Sequence, residues 1–238
     1  MDGSDYIFIA DSHLREDDSE EFFAMLDRIR GSAPAGVVFL GDIFELWIAL
    51  DGYETAMHRR FLDWCREAKR QFEVGFILGN HEFYVMLRHA DAFSWISETE
   101  HTLANGIRCV HGDLINRADR RYLLLRKFLR SGFTRSFLQL TSGSIGPIIS
   151  NFVLNKLKTT NQTYKRQLPM PQLEQYVRSM KQEKIRRVFA GHFHRHELLN
   201  DPDGIPLEIL PAWDVAGEII RLTPELHSEC GPWRQILS

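Results

Sequence analysis

The sequence predicts an α/β fold, and two observations carry that prediction. Apolar runs of four or five residues, the length of buried strands, alternate with stretches of helical period. Five of those runs end directly in short polar clusters rich in Asp, Asn and His. In open α/β sheets ligands bind at the carboxyl ends of strands, so five clusters far apart in sequence are expected to converge on one edge.

Taken in order, Tyr6–Ala10 reads as a buried strand ending at Asp11. Glu20–Arg30 reads as a helix, opened by a capping box of Asp18 and Glu21 and ended by Gly31. Val37–Leu40 is a second strand, stopped by Gly41-Asp42. Residues 54–71 form a second helix, because Met57, Phe61, Trp64, Cys65, Ala68 and Phe72 recur at steps of mostly three and four. Val74–Leu78 is a third strand, ending at Gly79-Asn80. Asn105-Gly106 is a hairpin turn that leads into Ile107–Val110 and then His111-Gly112-Asp113. Arg187–Ala190 ends at Gly191-His192. Leu198, the turn Asp201-Pro202-Asp203-Gly204 and Leu207–Leu210 read as a further hairpin, and Glu218–Leu222 closes the pattern.

The segment 119–184 has helical patterning and no strand. Between Leu114 and Met170 stand eleven Lys or Arg and one Asp, a local charge of +10 in a chain whose net charge is -3. Leucines and phenylalanines such as Leu124, Phe128, Phe133 and Phe137 are interspersed with those charges. We read 119–184 as a helical cap inserted into a core formed by 1–118 and 185–238. A nucleic-acid partner is not expected, because the positive charge sits in one apolar insert and not along a sheet edge. Cys65, Cys109 and Cys230 are sparse and odd in number, which fits a reducing compartment and no disulfide framework. The apolar run Tyr6–Ala10 is too short for a signal peptide or a membrane span. The expectation is a cytoplasmic protein that can touch a membrane surface through its cap.

The clusters are Asp11-x-His13, Gly41-Asp42, Gly79-Asn80-His81, His111-Gly112-Asp113 and Gly191-His192-Phe193-His194. Residues two apart in extended chain point the same way, so Asp11 pairs with His13 and His192 with His194. Carboxylate, amide oxygen and imidazole suit Mn²⁺, Fe²⁺, Zn²⁺ or Ni²⁺, with no thiolate among them. Asp42 is placed to bridge two ions, the arrangement that binds a phosphoryl group and activates water for in-line displacement.

This order of motifs resembles the calcineurin-like metallophosphoesterase superfamily. The resemblance implies a four-layer α/β/β/α sandwich. It also implies that Asp11, His13, Asp42 and His194 hold one divalent ion, Mn²⁺ being the first choice. Asp42, Asn80, His111 and His192 would hold a second, with His81 neutralising phosphate or assisting the leaving group. Within that superfamily the chain is most similar to UDP-2,3-diacylglucosamine hydrolases. Asp11-Ser12-His13-Leu14 resembles their opening, and Gly41-Asp42-Ile43-Phe44-Glu45-Leu46-Trp47-Ile48 resembles their second motif. His111-Gly112-Asp113 followed by Asp119, Tyr122 and Arg126 resembles a third stretch, and Ala212-Trp213 and Leu222-Thr223-Pro224 resemble the C-terminal end. The implied reaction is cleavage of a UDP-linked diacylated sugar to lipid X and UMP, in lipid A biosynthesis, with acyl chains beneath the cap. The third motif departs from that group. It reads Gly79-Asn80-His81-Glu82 where those hydrolases carry G-N-R-D, which leaves open another nucleotide, phosphodiester or phospholipid substrate.

Arg126, Asn161 and Lys165 are the candidate substrate contacts from the cap. Asp119 either orients an arginine or the sugar, or caps a helix. Trp47 is read as packing beneath the site, and His196 as a strand-edge polar residue or a contact behind the ligands. His89, His101 and His227 are expected at the surface. A metal-free binding scaffold remains the reading from a different class, with every ligand position filled against it.

Overall fold

In the computed structural model of the chain, residues 5–141, 153, 168–180, 183–200 and 204–238 are described. The elements run β1 (Tyr6–Ile9), α1 (Glu20–Ser32), β2 (Gly36–Phe39), β3 (Trp47–Ile48), α2 (Ala56–Ala68), β4 (Glu73–Ile77), β5 (Glu82–Phe83), α3 (Val85–His89), β6 (Trp95–Ser97), β7 (Glu100–Thr102) and β8 (Ile107–Val110). They continue with α4 (Arg120–Leu129), α5 (Gly132–Thr141), α6 (Met170–Ser179), β9 (Arg187–Ala190), β10 (Glu197–Asn200), β11 (Pro206–Ile209), α7 (Trp213–Ala216), β12 (Glu218–Leu222), β13 (Ser228–Pro232) and α8 (Trp233–Ile236).

Two sheets form the centre. One has the order β13-β12-β1-β2-β4-β6 and the other β10-β11-β9-β8-β7. β1, β2, β4 and β6 are mutually parallel, as are β8, β9 and β11. Alternation along each strand decides the layers. Ile7, Ile9, Val37, Phe39, Val74 and Phe76 face outward onto Phe22, Leu26, Phe61 and Cys65 of α1 and α2. Phe8, Val38 and Ile77 face the other way, onto Ile107, Cys109 and Phe189 of the second sheet. The far face of that sheet, with Val188, Leu207 and Ile209, is covered by Leu173 and Val177 of α6. The result is the α/β/β/α sandwich. Within the segment 119–184, α6 therefore forms the outer layer of the second sheet, whereas α4 and α5 pack elsewhere. Tyr84 donates to the Leu129 carbonyl at 2.7 Å, and Tyr53 to that of Leu138 at 3.2 Å.

Several local expectations are corrected. α1 begins after Ser19, with no side-chain cap, and runs through Gly31, which has open space around it. The chain turns two residues later, at Ala33 with φ 46°. The capping box occurs on α2 instead, between Thr55 and His58. His89 is buried and donates to Glu54 at 2.7 Å, and His101 is partly buried and stacks on Trp95. The strands β10 and β11 pair antiparallel as expected, though 201–203 of their turn lie outside the described residues. All three cysteines are free thiols. Among the described residues no helix is long and apolar enough to cross a membrane.

Candidate metal centre

The five polar clusters follow the carboxyl ends of β1, β2, β4, β8 and β9, and the parallel registers bring all five to the same edge of the sandwich. Past the strand ends the ladder persists, with Asp11 N–H donating to the Gly41 carbonyl and His13 N–H to that of Asp42, both at 3.0 Å. The sheets are tied together there by side chains. His192 N–H donates to Asp11 Oδ2 at 2.7 Å, and His111 Nδ1 to the Leu40 carbonyl at 2.6 Å.

The backbone is strained at these positions. Asp11, His13, Asp42, His192 and His194 all have φ between 41° and 72°, a region that residues with a Cβ avoid. Each costs of order ~1 kcal/mol or more, and five together imply that the turn geometry serves the side chains it presents. The glycines beside them permit close approach. A Cβ on Gly41 would meet Gly79 N at 2.5 Å and His111 Nδ1 at 2.7 Å, so only bare backbone fits between the second, third and fourth motifs.

Three overlapping groups result, each with one ligand atom per residue and all atoms within 4.8 Å of one another. They are Asp11, His13 and His194; His13, Asp42 and His81; and Asp42, His111 and His192. Asp42 belongs to two of them and lies between. His13 Nε2 and His194 Nε2 face each other at 3.3 Å, and His194 Nε2 lies 3.5 Å from Asp11 Oδ1. His111 donates through Nδ1, which leaves its Nε2 turned inward, 3.2 Å from Asn80 Oδ1 and 3.5 Å from Asp42 Oδ2. Such a second hydrogen bond sets the tautomer of a ligating imidazole. His81 is held likewise, its Nδ1 on the Glu45 carbonyl at 2.6 Å and its Nε2 3.8 Å from Asp42 Oδ2.

Buried Asp11 Oδ1, Asp42 Oδ2 and His192 Nδ1 have no hydrogen-bond partner. Buried polar atoms left unsatisfied are costly, and three such atoms on residues of these overlapping ligand groups fit divalent cations. The buried charges act strongly on one another. Burial, then the charge of Asp42, raise the Asp11 carboxyl well above its usual range. Asp42 is equally buried, but His81 and His111 overcome that and hold it well below. Burial disfavours a charged His111, yet Asp42 pushes it up to about 10, while burial and then His111 pull His192 down to about 4.

The substrate contacts expected from the cap fare differently. Asp119 is the N-cap of α4, its carboxylate accepting the Tyr122 N–H at 2.9 Å. Arg126 donates through Nε to Asp113 at 2.9 Å and through Nη2 to the Glu98 carbonyl at 2.9 Å. Asn161 and Lys165 lie outside the described residues. His196 donates to Glu208 at 3.1 Å, on β11. Trp47 is fully buried among Phe44, Phe61 and Phe76.

Sequence reasoning gave no individual role to three residues. Asp113 anchors both Tyr122 and Arg126, joining the fourth motif to α4. Glu82, fully buried, accepts the N–H groups of Asp42, Ile43 and Gly79 at 3.0, 2.8 and 2.8 Å. Burial pushes its pKa up to about 7, with Asp42 adding to the effect. The available signal was an acid directly after Gly-Asn-His, which a ligand-centred reading treats as a neighbour. Arg130, one turn after Arg126, donates to the carbonyls of Gly79 and Glu82.

The sequence pattern of calcineurin-like phosphoesterases matches residues 5–196. A UDP-2,3-diacylglucosamine hydrolase from Coxiella burnetii is 23% identical over 225 residues, covering 90% of this chain and 92% of that protein. Its namesake from Psychromonas ingrahamii is 28% identical over 208 residues, covering 81% and 83%. Another, from Pseudomonas aeruginosa, is 27% identical over 241 residues, covering 94% and 97%. Among solved structures, a dimetal phosphatase from Danio rerio superposes with a TM-score of 0.45 at 14% identity, covering 97% of this chain and 99% of that one.

Proposed function

The chain belongs to the calcineurin-like phosphoesterase family and is a metal-dependent hydrolase, and from that premise we propose that it cleaves the phosphoanhydride of UDP-2,3-diacylglucosamine. The products are lipid X (2,3-diacylglucosamine 1-phosphate) and UMP, a step of lipid A biosynthesis. The observation that carries the chemistry is the set of three unsatisfied buried atoms, Asp11 Oδ1, Asp42 Oδ2 and His192 Nδ1, spread over two ligand groups. Asp11, His13, Asp42 and His194 would hold one divalent ion, and Asp42, Asn80, His111 and His192 a second, Mn²⁺ being our choice of metal. Ions bound there supply charge neutralisation at the phosphoryl oxygens and a lowered pKa for water. His81 donates through Nδ1 to a carbonyl and presents Nε2 beside Asp42, where the doubly protonated ring could donate to a phosphoryl or leaving-group oxygen.

The substrate class is supported by curated relatives that carry this name along nearly their whole length. It is supported also by α4 and α5, where Leu124, Phe128, Phe133, Phe137 and Leu140 are exposed beside Arg120, Arg121, Lys127 and Arg135. A surface both apolar and cationic suits acyl chains joined to an anionic headgroup, and a peripheral place on the cytoplasmic side of the inner membrane. We assign 119–184 as the insert, with Asp119, Arg126, Asn161 and Lys165 as its contacts to substrate. His81 favours a second reading, in which the same centre hydrolyses another phosphodiester or phospholipid, because an imidazole lacks the bidentate fork with which a guanidinium holds a diphosphate.

The test is release of UMP from UDP-2,3-diacylglucosamine in the presence of Mn²⁺, with Asn80→Ala as control. Release that the control abolishes supports the first reading. Hydrolysis of an aryl phosphodiester without UMP release replaces it with the second.

A further inference from the structure

Arg130 follows the last turn of α4, and its guanidinium lies against the third motif. Nη2 donates to the Gly79 carbonyl at 2.6 Å and to the Glu82 carbonyl at 3.1 Å. Those two residues flank Asn80 and His81. Nε and Nη1 are buried and have no hydrogen-bond partner. Three N–H bonds of the guanidinium are thus left without an acceptor.

The contrast with Arg126 is informative. Arg126 stands one turn earlier on the same helix and is engaged by the Asp113 carboxylate and the Glu98 carbonyl. Asp113 is further occupied by Tyr122, and the Glu82 carboxylate by three backbone N–H groups. Neither carboxylate is bonded to Arg130, whose only hydrogen bonds among the described residues are to carbonyl oxygens. Asp113 and Glu98 act on Arg130 only at a distance and are outweighed by burial and the charge of Arg126, so a guanidinium bonded to carbonyls alone is favourably completed by an anion at its open donors.

We propose that Arg130 binds phosphoryl oxygens of the substrate, its unengaged Nε and Nη1 donors meeting an anion that enters beside Asn80 and His81. The carbonyls of Gly79 and Glu82 fix the group in place, so that little side-chain freedom is lost on binding. This deepens the phosphoanhydride reading and rests on it for the identity of the natural anion. The anion-binding role itself is separable.

The probe is inorganic phosphate, titrated calorimetrically into the Mn²⁺-loaded protein, with UMP release from UDP-2,3-diacylglucosamine measured in parallel. Arg130→Gln should weaken phosphate at least tenfold with bound metal per chain unchanged, and should raise KM more than it lowers kcat. Arg130→Lys, the variant to use if the glutamine form does not fold, should weaken phosphate severalfold, because one ammonium cannot hold both carbonyls and also offer three donors. A phosphate affinity within twofold of wild type in the variants overturns the proposal. So does weakening that always accompanies loss of bound metal, since Arg130 would then only brace the third motif. Failure of the wild type to release UMP, with phosphate binding still dependent on Arg130, removes the lipid substrate and leaves the anion site standing.

Discussion

One Glu82 oxygen accepts the backbone N–H of Asp42 at 3.0 Å, across forty residues of sequence. The same oxygen takes the Gly79 N–H, and its twin takes that of Ile43. One buried carboxylate thereby holds the turns of two motifs together and keeps Asp42 at φ 53°. Removing it leaves three buried N–H donors unsatisfied. Glu82→Ala should destabilise the protein by about 3 kcal/mol, judged from charged hydrogen bonds of this kind. Urea unfolding measures that loss, and metal analysis should show fewer bound ions than in wild type. A variant with wild-type stability and full metal content would show that the motifs are held by other contacts.

Divalent ions should stabilise the fold strongly. Asp11 and Asp42 are fully buried carboxylates whose partners are imidazoles and backbone N–H groups. Mn²⁺ at a hundred times its dissociation constant should add about 2.7 kcal/mol per independent site through binding to the folded state alone. A thermal melt with and without Mn²⁺ checks this, and chelator should reverse the shift. Asp42→Asn, which weakens both expected ion sites, should lose most of the shift. An equal shift in wild type and Asp42→Asn would place the ions elsewhere.

The pH dependence of stability should carry the signature of His58. Its Nδ1 accepts the Thr55 N–H at 3.1 Å and its Nε2 donates to the Leu46 carbonyl, so the folded state needs the neutral ring. Burial lowers its pKa from 6.5 to about 4. The unfolded chain therefore binds the extra proton first, and stability falls as pH drops from about 6.5 towards 4. The contribution reaches about 3 kcal/mol at neutral pH. Unfolding curves at pH 7 and pH 5 test it, with His58→Gln expected to flatten the difference. A variant with the wild-type slope would assign the acid sensitivity to other groups.

Much of this architecture was legible because its causes are local. The apolar runs of β1, β2, β4, β8 and β9 are strands because they are short, β-branched or aromatic, and followed at once by Asp11, Gly41-Asp42, Gly79-Asn80, His111-Gly112 or Gly191-His192. The polar residues after them had to share an edge once the strands were parallel. What escaped depends on contacts distant in sequence. His89 reads as a surface residue until Glu54 is folded against it. α6, within 119–184, reads as cap until Leu173 and Val177 are seen covering the second sheet. Gly31 reads as a helix end because glycine usually is one, whereas the turn occurs at Ala33, next to the segment in which Ala35 N–H donates to the Asp5 carbonyl. Glu82 and Arg130 bond to backbone groups, so their residue types alone do not reveal what they hold.

Gly79 offers the sharpest test of how tightly the second and third motifs are fitted. A Cβ at this position would collide with Asp42 Oδ1 and stand 2.6 Å from Asp42 N. Both atoms are fixed. Asp42 Oδ1 accepts the His81 N–H at 2.9 Å, and Asp42 N–H is held by Glu82. The carboxylate in question is the one shared by two ligand groups. Gly79→Ala must therefore push Asp42 away from His81 or drag the third motif off Glu82. Either shift costs about 1–3 kcal/mol by analogy with other overpacked interiors. Activity should fall far more than that stability loss implies, since displacement of about 1 Å at reacting groups lowers rates of order 100-fold. Ser32→Ala, remote from the site on α1, controls for a general loss of stability. Rates of phosphodiester hydrolysis at saturating Mn²⁺, beside the unfolding midpoint, separate the two effects. A Gly79→Ala protein with wild-type kcat would mean that the loop yields without moving Asp42, and that the close approach is not what positions this shared carboxylate.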